Sequence, residues 1–166
     1  MNKPDPRVLV VQGSASDSEA LTGCFRVLES LDIPYERRIL SAHRTPIEAD
    51  EVLSGAEGRG IQVIIAAAGL AAHLAGAAAS RSLLPVIGIP LAAGTLGGQD
   101  ALLATVQMPP GLPVGTVAIG SHGAHNAAIL AARIIALSDK DLRQRLGDHR
   151  ESMRQKVLSA DRDLNS

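Results

Sequence analysis

Short aliphatic runs separated by helix-length segments constrain the fold of this chain more than any other feature of its sequence. The runs at 8–12, 63–68 and 85–89 consist mainly of Val, Ile, Leu and Ala. Strands that are apolar on both faces and alternate with helical segments are typical of a parallel sheet covered on both sides. We therefore expect an α/β fold, a three-layer α/β/α sandwich around a central parallel sheet.

This alternation continues along most of the chain. Strands are predicted at 8–12, 35–40, 63–68, 85–89 and 115–119, and helices at 16–31, 46–56, from beyond the third strand to about 82, 99–107 and 124–137. Ser14 or Ser16 is expected to cap the first helix, and Pro90 to close the fourth strand. We expect a single domain over 1–166, with a core at about 7–138 and a helical extension at about 139–163.

The extension is highly charged and differs from the rest of the chain. Its apolar residues are sparse, at Leu142, Leu146, Met153 and Val157. A helix so hydrophilic is not expected to be buried in its own domain. It is either a solvated terminal helix or a helix that packs across a neighbouring subunit.

The composition argues against several classes of protein. With 16 Lys+Arg, 17 Asp+Glu, one Phe, one Tyr and no Trp, the chain has neither a basic stripe nor the stacking platforms of a nucleic-acid binder. The alanine-rich stretch is not expected to span a membrane, because His73 interrupts it and Arg81 follows it. The single cysteine, Cys24, excludes an internal disulfide and is interpreted as a small core residue. Residues 1–7 lack the apolar segment of a signal peptide, so we expect a cytoplasmic protein.

The loop at 41–46, with the sequence Ser-Ala-His-Arg-Thr-Pro, combines a proton-transfer group with an anion-binding group. Histidine can both donate and accept a proton near neutral pH, which makes His43 a candidate general acid/base. Arg44 offers a rigid fork of donors for a phosphate or carboxylate, and Ser41 adds a hydroxyl. Thr45 and Pro46 can cap and open the following helix. The alternative is an ordinary helix cap beside a surface His and Arg.

The loop at 13–17 follows the first predicted strand and has features of an anion site. Gly13 permits a tight turn, and the hydroxyls of Ser14 and Ser16 with nearby N–H groups suit a phosphate. Asp17 could accept hydrogen bonds from ribose hydroxyls. Taken alone, this segment is better explained as a plain capping sequence.

The loop at 68–73 follows the third predicted strand. Its small residues Gly69, Ala71 and Ala72 expose backbone N–H groups near His73, which by itself could be a core histidine. Because the carboxyl ends of parallel strands meet at one edge, the three loops should surround one pocket. Together they predict a site for a small phosphorylated, ribose-bearing anion. No Walker sequence, GxGxxG motif or metal-ligand cluster is present, so we expect no cofactor and no metal, and a chemistry of proton transfer and rearrangement.

From about residue 8 to 146, the chain resembles the bacterial 5-(carboxyamino)imidazole ribonucleotide mutase family of purine biosynthesis. The resemblance rests on Gly-Ser-x-Ser-Asp at 13–17, Ser-Ala-His-Arg-Thr-Pro at 41–46, Ala-Gly-x-Ala-Ala-His-Leu at 68–74, Pro-Val-Ile-Gly at 85–88 and Val-Gln-Met-Pro at 106–109. It implies a flavodoxin-like, Rossmann-type sandwich assembled as a homo-octamer, with active sites near subunit interfaces. It also implies an isomerase that moves a carboxylate from the exocyclic nitrogen of an aminoimidazole ribonucleotide to ring carbon 4, without ATP, metal or organic cofactor.

The resemblance also assigns residue roles. The general acid/base falls on His43, and the substrate-binding positions fall on Ser14, Asp17 and Arg44, with Ser16 and Ser41 nearby. We interpret His73 as part of the pocket wall, supporting rather than catalytic.

The chain departs from the family pattern at several positions. Gln12 stands where the family usually has Met, Ala67 and Leu70 stand where it often has Gly, and Ala75 replaces a common Pro. His122 and His125 are additional, and we interpret them as loop and interface residues because no third metal ligand is evident.

Two rival functions remain open. A related branch of the family is a carboxylase that combines free carbon dioxide with aminoimidazole ribonucleotide; it tends to carry Lys at the position of Arg44 and to lack the histidine at the position of His73. Both residues here favour the mutase. The other rival is a nucleotide-binding regulatory module that has kept the fold and lost the chemistry.

Overall fold

A five-stranded, wholly parallel sheet forms the centre of the computed structural model, which describes residues 5–165. The strands are β1 (Val8–Gln12), β2 (Tyr35–Ile39), β3 (Val63–Gly69), β4 (Val86–Leu91) and β5 (Gly115–Thr116), in the spatial order β2-β1-β3-β4-β5. β1 lies between β2 and β3, with Val8 opposite both Tyr35 and Val63. The chain therefore moves outward from β1 in one direction to reach β2 and in the other to reach β3.

Six α-helices connect or follow the strands within the described residues. They are α1 (Thr22–Ser30), α2 (Pro46–Ser54), α3 (Leu74–Arg81), α4 (Gln99–Val106), α5 (Gly120–Ile135) and α6 (Lys140–Leu164), with 3₁₀ turns at Ala15–Ser18, Glu57–Arg59 and Gly94–Leu96. None of the helices in residues 5–165 combines the length and apolar character needed to cross a bilayer.

Apolar clusters on both faces of the sheet confirm the three-layer sandwich. Alternate residues of a strand point to opposite faces. Val8 and Val10 pack with α1 and α5 on one face, whereas Leu9 and Val11 pack with α2 and α3 on the other. Cys24 lies in the first cluster, and burial raises the pKa of its thiol to about 12, as expected for a core residue rather than a nucleophile.

The helix predicted at 16–31 is wrong in its first part. Residues 15–18 form a separate 3₁₀ turn, and α1 begins only at Thr22. Ser14 caps this turn, since its hydroxyl accepts from Ser16 N while the Asp17 carboxylate accepts from Ser14 N. These local hydrogen bonds compete with the helical pattern and close the turn on itself.

Three other predicted boundaries are also wrong. Pro90 lies inside β4 rather than closing it, opposite Ala68 of β3. β5 pairs only with Ile87 and Gly88, so at Pro90 this side of β4 carries no further strand and the missing N–H is tolerated. β5 is shorter than predicted, and α5 begins at Gly120 rather than at residue 124.

The first turns of α6 pack on the sandwich, and the rest projects from it. Asp139 caps α6 by accepting from Leu142 N at 2.9 Å, and it pairs with Arg7 at 2.6 Å. These contacts with a backbone N–H and a guanidinium lower the pKa of Asp139. Leu142 is fully buried, so the start of α6 belongs to this core, contrary to the expectation from its hydrophilic sequence. Met153 is 46% exposed and Val157 is 70% exposed.

Candidate active site

A cavity of about 480 Å³ opens at the carboxyl edge of the sheet, above β2, β1 and β3. Ligands bind at this point in open parallel sheets because the loops diverge where the connections from one strand change direction. The cavity is lined by Gly13, Ser14, Ser16, Asp17, Ser41, His43, Arg44, Gly69, Ala71 and His73 among others. These are all of the predicted site residues except Ala72. The folding of three separate loops thus brings the predicted groups into one place.

Ala72 lies outside the lining. Its side chain is 2% exposed, and its N–H donates to Leu70 O at 2.9 Å. The N–H of His73 is likewise used, donating to Ala71 O at 2.8 Å. The backbone N–H groups of Ala72 and His73 therefore donate within the loop at 68–73, which is called the third loop below.

His43 and His73 form a direct pair. Nε2 of His43 lies 2.7 Å from Nδ1 of His73, and the rings meet edge to face with centroids 4.9 Å apart. His43 sits in the turn after β2, and His73 is the N-cap residue of α3, so two different elements orient the rings. In such a bond one nitrogen carries the shared proton and the other accepts it, so His73 orients the His43 ring. The sequence predicts that both residues line the pocket, but it does not predict their pairing.

Arg44 links the loop at 13–17, which follows β1 and is called the first loop below, to the loop at 41–46, the second loop. Its Nη2 donates to Gly13 O at 3.1 Å, and its backbone N–H donates to Ser41 Oγ at 3.1 Å. α2 begins at Pro46 as predicted, but Thr45 does not cap it through its side chain. Instead, Thr45 Oγ1 accepts from Ser41 N at 2.9 Å and tightens the turn that carries His43.

Ser14, Ser16 and Asp17 form the floor of the first loop. Ser14 N donates to Asp17 Oδ2 at 2.9 Å, and Ser16 Oγ lies 2.9 Å from Ser14 Oγ. Burial raises the pKa of Asp17, and this rise is opposed by the N–H groups of Ser14 and Gly13 and by the charge of Arg44. A carboxylate in this position can accept hydrogen bonds from a ligand hydroxyl.

Leu70 occupies a backbone conformation that favours glycine. Its φ is +55°, and its side chain is 54% exposed at the cavity. A Cβ added to Gly94 would lie 2.9 Å from Cδ2 of Leu70, so the leucine side chain rests against the loop that follows β4. A positive φ is strained for a residue with a Cβ atom and unstrained for glycine, which is why glycine suits this position of the third loop.

The additional histidines lie away from the cavity. His122 and His125 are in α5, not in a loop as predicted, and the ring of His125 is 6.3 Å from that of His149 in α6. Residues 5–165 contain no group of three or more His, Cys, Asp or Glu side chains that could hold a metal ion.

Gln12, which departs from the family pattern, supports the site from within the core, a role that the sequence motifs do not predict. It is fully buried at the end of β1, where its amide contacts Ser14, Ser18 and Arg37. The sequence signal for it is a single polar residue at the end of an otherwise aliphatic strand.

The fold and the cavity define a flavodoxin-like α/β protein with a ligand site at the switch point of its sheet. The sequence model of the family described as AIR carboxylase matches residues 7–156, and the chain belongs to this family. The N5-carboxyaminoimidazole ribonucleotide mutase of Bacillus subtilis (strain 168) is 47% identical over 93% of this chain and 96% of its own length. The enzyme of the same name from Escherichia coli (strain K12) is 48% identical over 92% of this chain and 90% of its own length.

A solved structure has the same fold. The crystal structure of Treponema denticola PurE superposes with a TM-score of 0.86 and 29% identity, covering 97% of this chain and 99% of that chain. The family and the flavodoxin-like fold expected from the sequence motifs are thereby confirmed.

Proposed function

We propose that this protein is an isomerase that converts N5-carboxyaminoimidazole ribonucleotide to 4-carboxy-5-aminoimidazole ribonucleotide in purine biosynthesis. The observation that carries the proposal is the position of His43, which shares one cavity with Arg44 and with the loop of Ser14 and Asp17. Relatives at 47% and 48% identity carry the name of this activity. The cavity thus combines a proton-transfer group with anion-binding groups, as the reaction requires.

The reaction needs a proton donor that later becomes a proton acceptor. His43 in its protonated form donates a proton to the exocyclic nitrogen as the carbon–nitrogen bond to the carboxylate breaks. This step releases carbon dioxide and leaves aminoimidazole ribonucleotide in the cavity. Ring carbon 4 then attacks the carbon dioxide, and the now neutral His43 removes the proton from carbon 4, which restores the aromatic ring and the starting state of the enzyme. Retaining both fragments makes the recombination effectively unimolecular.

In the proposed reaction, the remaining groups of the cavity bind and orient the substrate. Arg44 and the hydroxyls of Ser14, Ser16 and Ser41 hold the phosphate, because a guanidinium fork and hydroxyl donors match its oxygens. Asp17 accepts from the ribose hydroxyls. Binding energy from the phosphate and ribose fixes the position of the reacting ring, which is the use of remote binding in catalysis.

The third loop faces the reacting end. Gly69 and Ala71 line the cavity beside His73 and supply its small-residue wall, where the carboxylate and the released carbon dioxide are proposed to lie. His73 is a positioning residue, since it contacts His43 directly. No metal or organic cofactor is required by these steps.

The assembly and location are also proposed. A homo-octamer is supported by the family resemblance and by the exposed apolar side chains of Met153 and Val157 on the projecting part of α6. A cytoplasmic location is supported by the biosynthetic role of the family. The substrate is a small ribonucleotide, and neither a nucleic acid nor a membrane is proposed as a partner.

An assay without ATP tests the activity. Purified protein is given N5-carboxyaminoimidazole ribonucleotide in one series and aminoimidazole ribonucleotide with bicarbonate in another, and formation of the 4-carboxy product is followed. We expect turnover in the first series and little in the second. Efficient turnover only with bicarbonate would instead identify a carboxylase. Binding of the ribonucleotides without turnover of either would identify a regulatory module.

A further inference from the structure

The buried amide of Gln12 is hydrogen-bonded through both of its polar atoms. Nε2 donates to Ser14 O and to Ser18 Oγ, both at 2.7 Å, and Oε1 accepts from Arg37 Nε at 3.2 Å. The side chain is 0% exposed. A buried amide left without partners would destabilise the fold. The folded state therefore favours the arrangement in which Gln12 keeps these hydrogen bonds.

Arg37 extends this network and anchors it to the core. Its Nη2 donates to Ser18 Oγ at 2.6 Å, so Arg37 and Gln12 hold the same serine hydroxyl. The guanidinium carbon of Arg37 lies 4.4 Å above the centre of the Phe25 ring. Stacking on a core aromatic side chain restricts the guanidinium plane, and a fixed plane makes its hydrogen bonds directional.

The network and Arg44 bind successive backbone carbonyls of the first loop. Gln12 binds the carbonyl of Ser14, whereas Arg44 binds the carbonyl of Gly13 at 3.1 Å. Two consecutive carbonyls are thus fixed by two different side chains, and the end of the following turn is fixed at Ser18. The orientation of the intervening peptide groups, and with it the positions of Ser14 and Asp17, depends on these contacts.

We propose that Gln12, together with Arg37 and Ser18, positions the first loop for binding the phosphate and ribose of the substrate. This inference rests on the proposed function, because that function assigns the loop to the substrate. Gln12 is a positioning residue and not a catalytic one, since it is buried beneath the loop. Methionine, which the family resemblance places at this position, has a side chain of similar length but no N–H donor for Ser14 O and no oxygen for Arg37.

Gln12→Met tests the proposal with little change in volume. Loss of the three hydrogen bonds of the Gln12 amide, one of them from the charged guanidinium of Arg37, predicts a KM raised about three- to tenfold, with kcat within about twofold of wild type. Dissociation constants for ribose 5-phosphate, measured by equilibrium titration, should rise in parallel. Gln12→Glu keeps an acceptor for Arg37 and turns an oxygen toward Ser14 O, and it should also weaken ribose 5-phosphate binding.

Arg37→Met should act in the same direction, and the double variant with Gln12→Met should lose less than the product of the two single effects, because both act through Ser18. The matched control is Arg38→Met, on the same strand as Arg37. The guanidinium of Arg38 pairs with Glu36 at 3.2 Å and is not part of the network that holds the loop. It should leave KM and ribose 5-phosphate binding unchanged.

Folded Gln12 variants with wild-type KM and wild-type ribose 5-phosphate affinity would overturn the proposal, even if their melting temperatures fell. A drop in kcat at constant KM would overturn it as well. Failure of the proposed function is recognised separately, because wild-type protein would then bind ribose 5-phosphate without turning over either ribonucleotide. If wild-type protein does not bind ribose 5-phosphate, the inference is wrong.

Discussion

Nε2 of His43 and Nδ1 of His73 share a hydrogen bond of 2.7 Å across two loops of the cavity. At least one of two facing imidazole nitrogens must lack a proton for this bond to form. The pair therefore couples the protonation of the proposed acid/base to the position of a second ring. On the proposed function, we expect His73 to have the role that a carboxylate has in many catalytic dyads, that of orienting the imidazole that transfers the proton.

Replacing His43 tests the acid/base role directly. His43→Asn should lower kcat by about 10²- to 10⁴-fold, which is the usual contribution of a positioned acid/base. Ribose 5-phosphate binding should stay near wild type, because the proposed phosphate contacts are with Arg44 and the serine hydroxyls rather than with His43. Steady-state kinetics and equilibrium titration measure the two effects, and a variant that keeps more than half of its kcat would remove His43 from the mechanism.

Replacing His73 tests the positioning role. His73→Leu removes the hydrogen bond and should lower kcat by about tenfold with little change in KM, since the loss of orientation affects mainly the transition state. His73→Gln can still hydrogen-bond to His43 and should recover part of the loss. His122→Leu, at an exposed position of α5 outside the cavity lining, is the control and should behave as wild type. Equal kcat in His73→Leu and wild type would contradict the assignment.

Arg44 should control substrate affinity. Arg44→Met removes the proposed charged donor to the phosphate and the observed bond to Gly13 O, and KM should rise about 10- to 100-fold. Arg44→Lys keeps the charge but not the fork, so its KM should fall between those of Arg44→Met and wild type. Arg26→Met, an exposed change on α1 outside the cavity lining, should leave KM unchanged. A methionine variant with the KM of wild type would mean that the fork geometry and the charge are both dispensable.

The backbone conformation of Leu70 should lower the stability of the folded protein. At φ +55° a leucine is strained by about 1 kcal/mol, so Leu70→Gly should be more stable than Leu70→Ala in chemical unfolding. The same pair of variants at Leu83, which is 99% exposed and has no positive φ, should show the reverse order, because glycine is the more flexible residue in the unfolded chain. The same order at both positions would contradict the strain argument.

The raised pKa of Asp17 predicts the direction in which protein stability changes with pH. Because burial raises its pKa, the folded state binds this proton more tightly than the unfolded state does. Between the ordinary aspartate pKa of ~3.9 and the raised value, stability attributable to this group therefore falls as pH rises. Asp17→Asn should melt at a higher temperature than wild type at pH 7, and the difference should disappear below that window. A variant less stable than wild type by the same amount at every pH would contradict the sign.

Local patterning was sufficient to predict most of the elements. The apolar run at β1 has no polar residue before Gln12, and Pro46 opens α2 as its fixed φ suggests. Boundaries were less well predicted where side chains compete with the backbone, as Ser14 and Asp17 do when they close a separate turn before α1. The end of β4 at Pro90 was predicted wrongly. A strand tolerates proline where no neighbouring strand needs its N–H, and β5 does not extend as far as Pro90.

The sequence by itself determined the α/β alternation, the three loops that line the cavity and the family to which the chain belongs. These follow from short-range periodicity and from motifs that are contiguous in the chain. The tertiary structure alone decided that His43 pairs with His73, that Arg44 reaches Gly13 and that Gln12 and Arg37 hold the first loop. Those contacts join residues up to 31 positions apart, and their geometry depends on the order and register of the parallel strands, which no local pattern specifies.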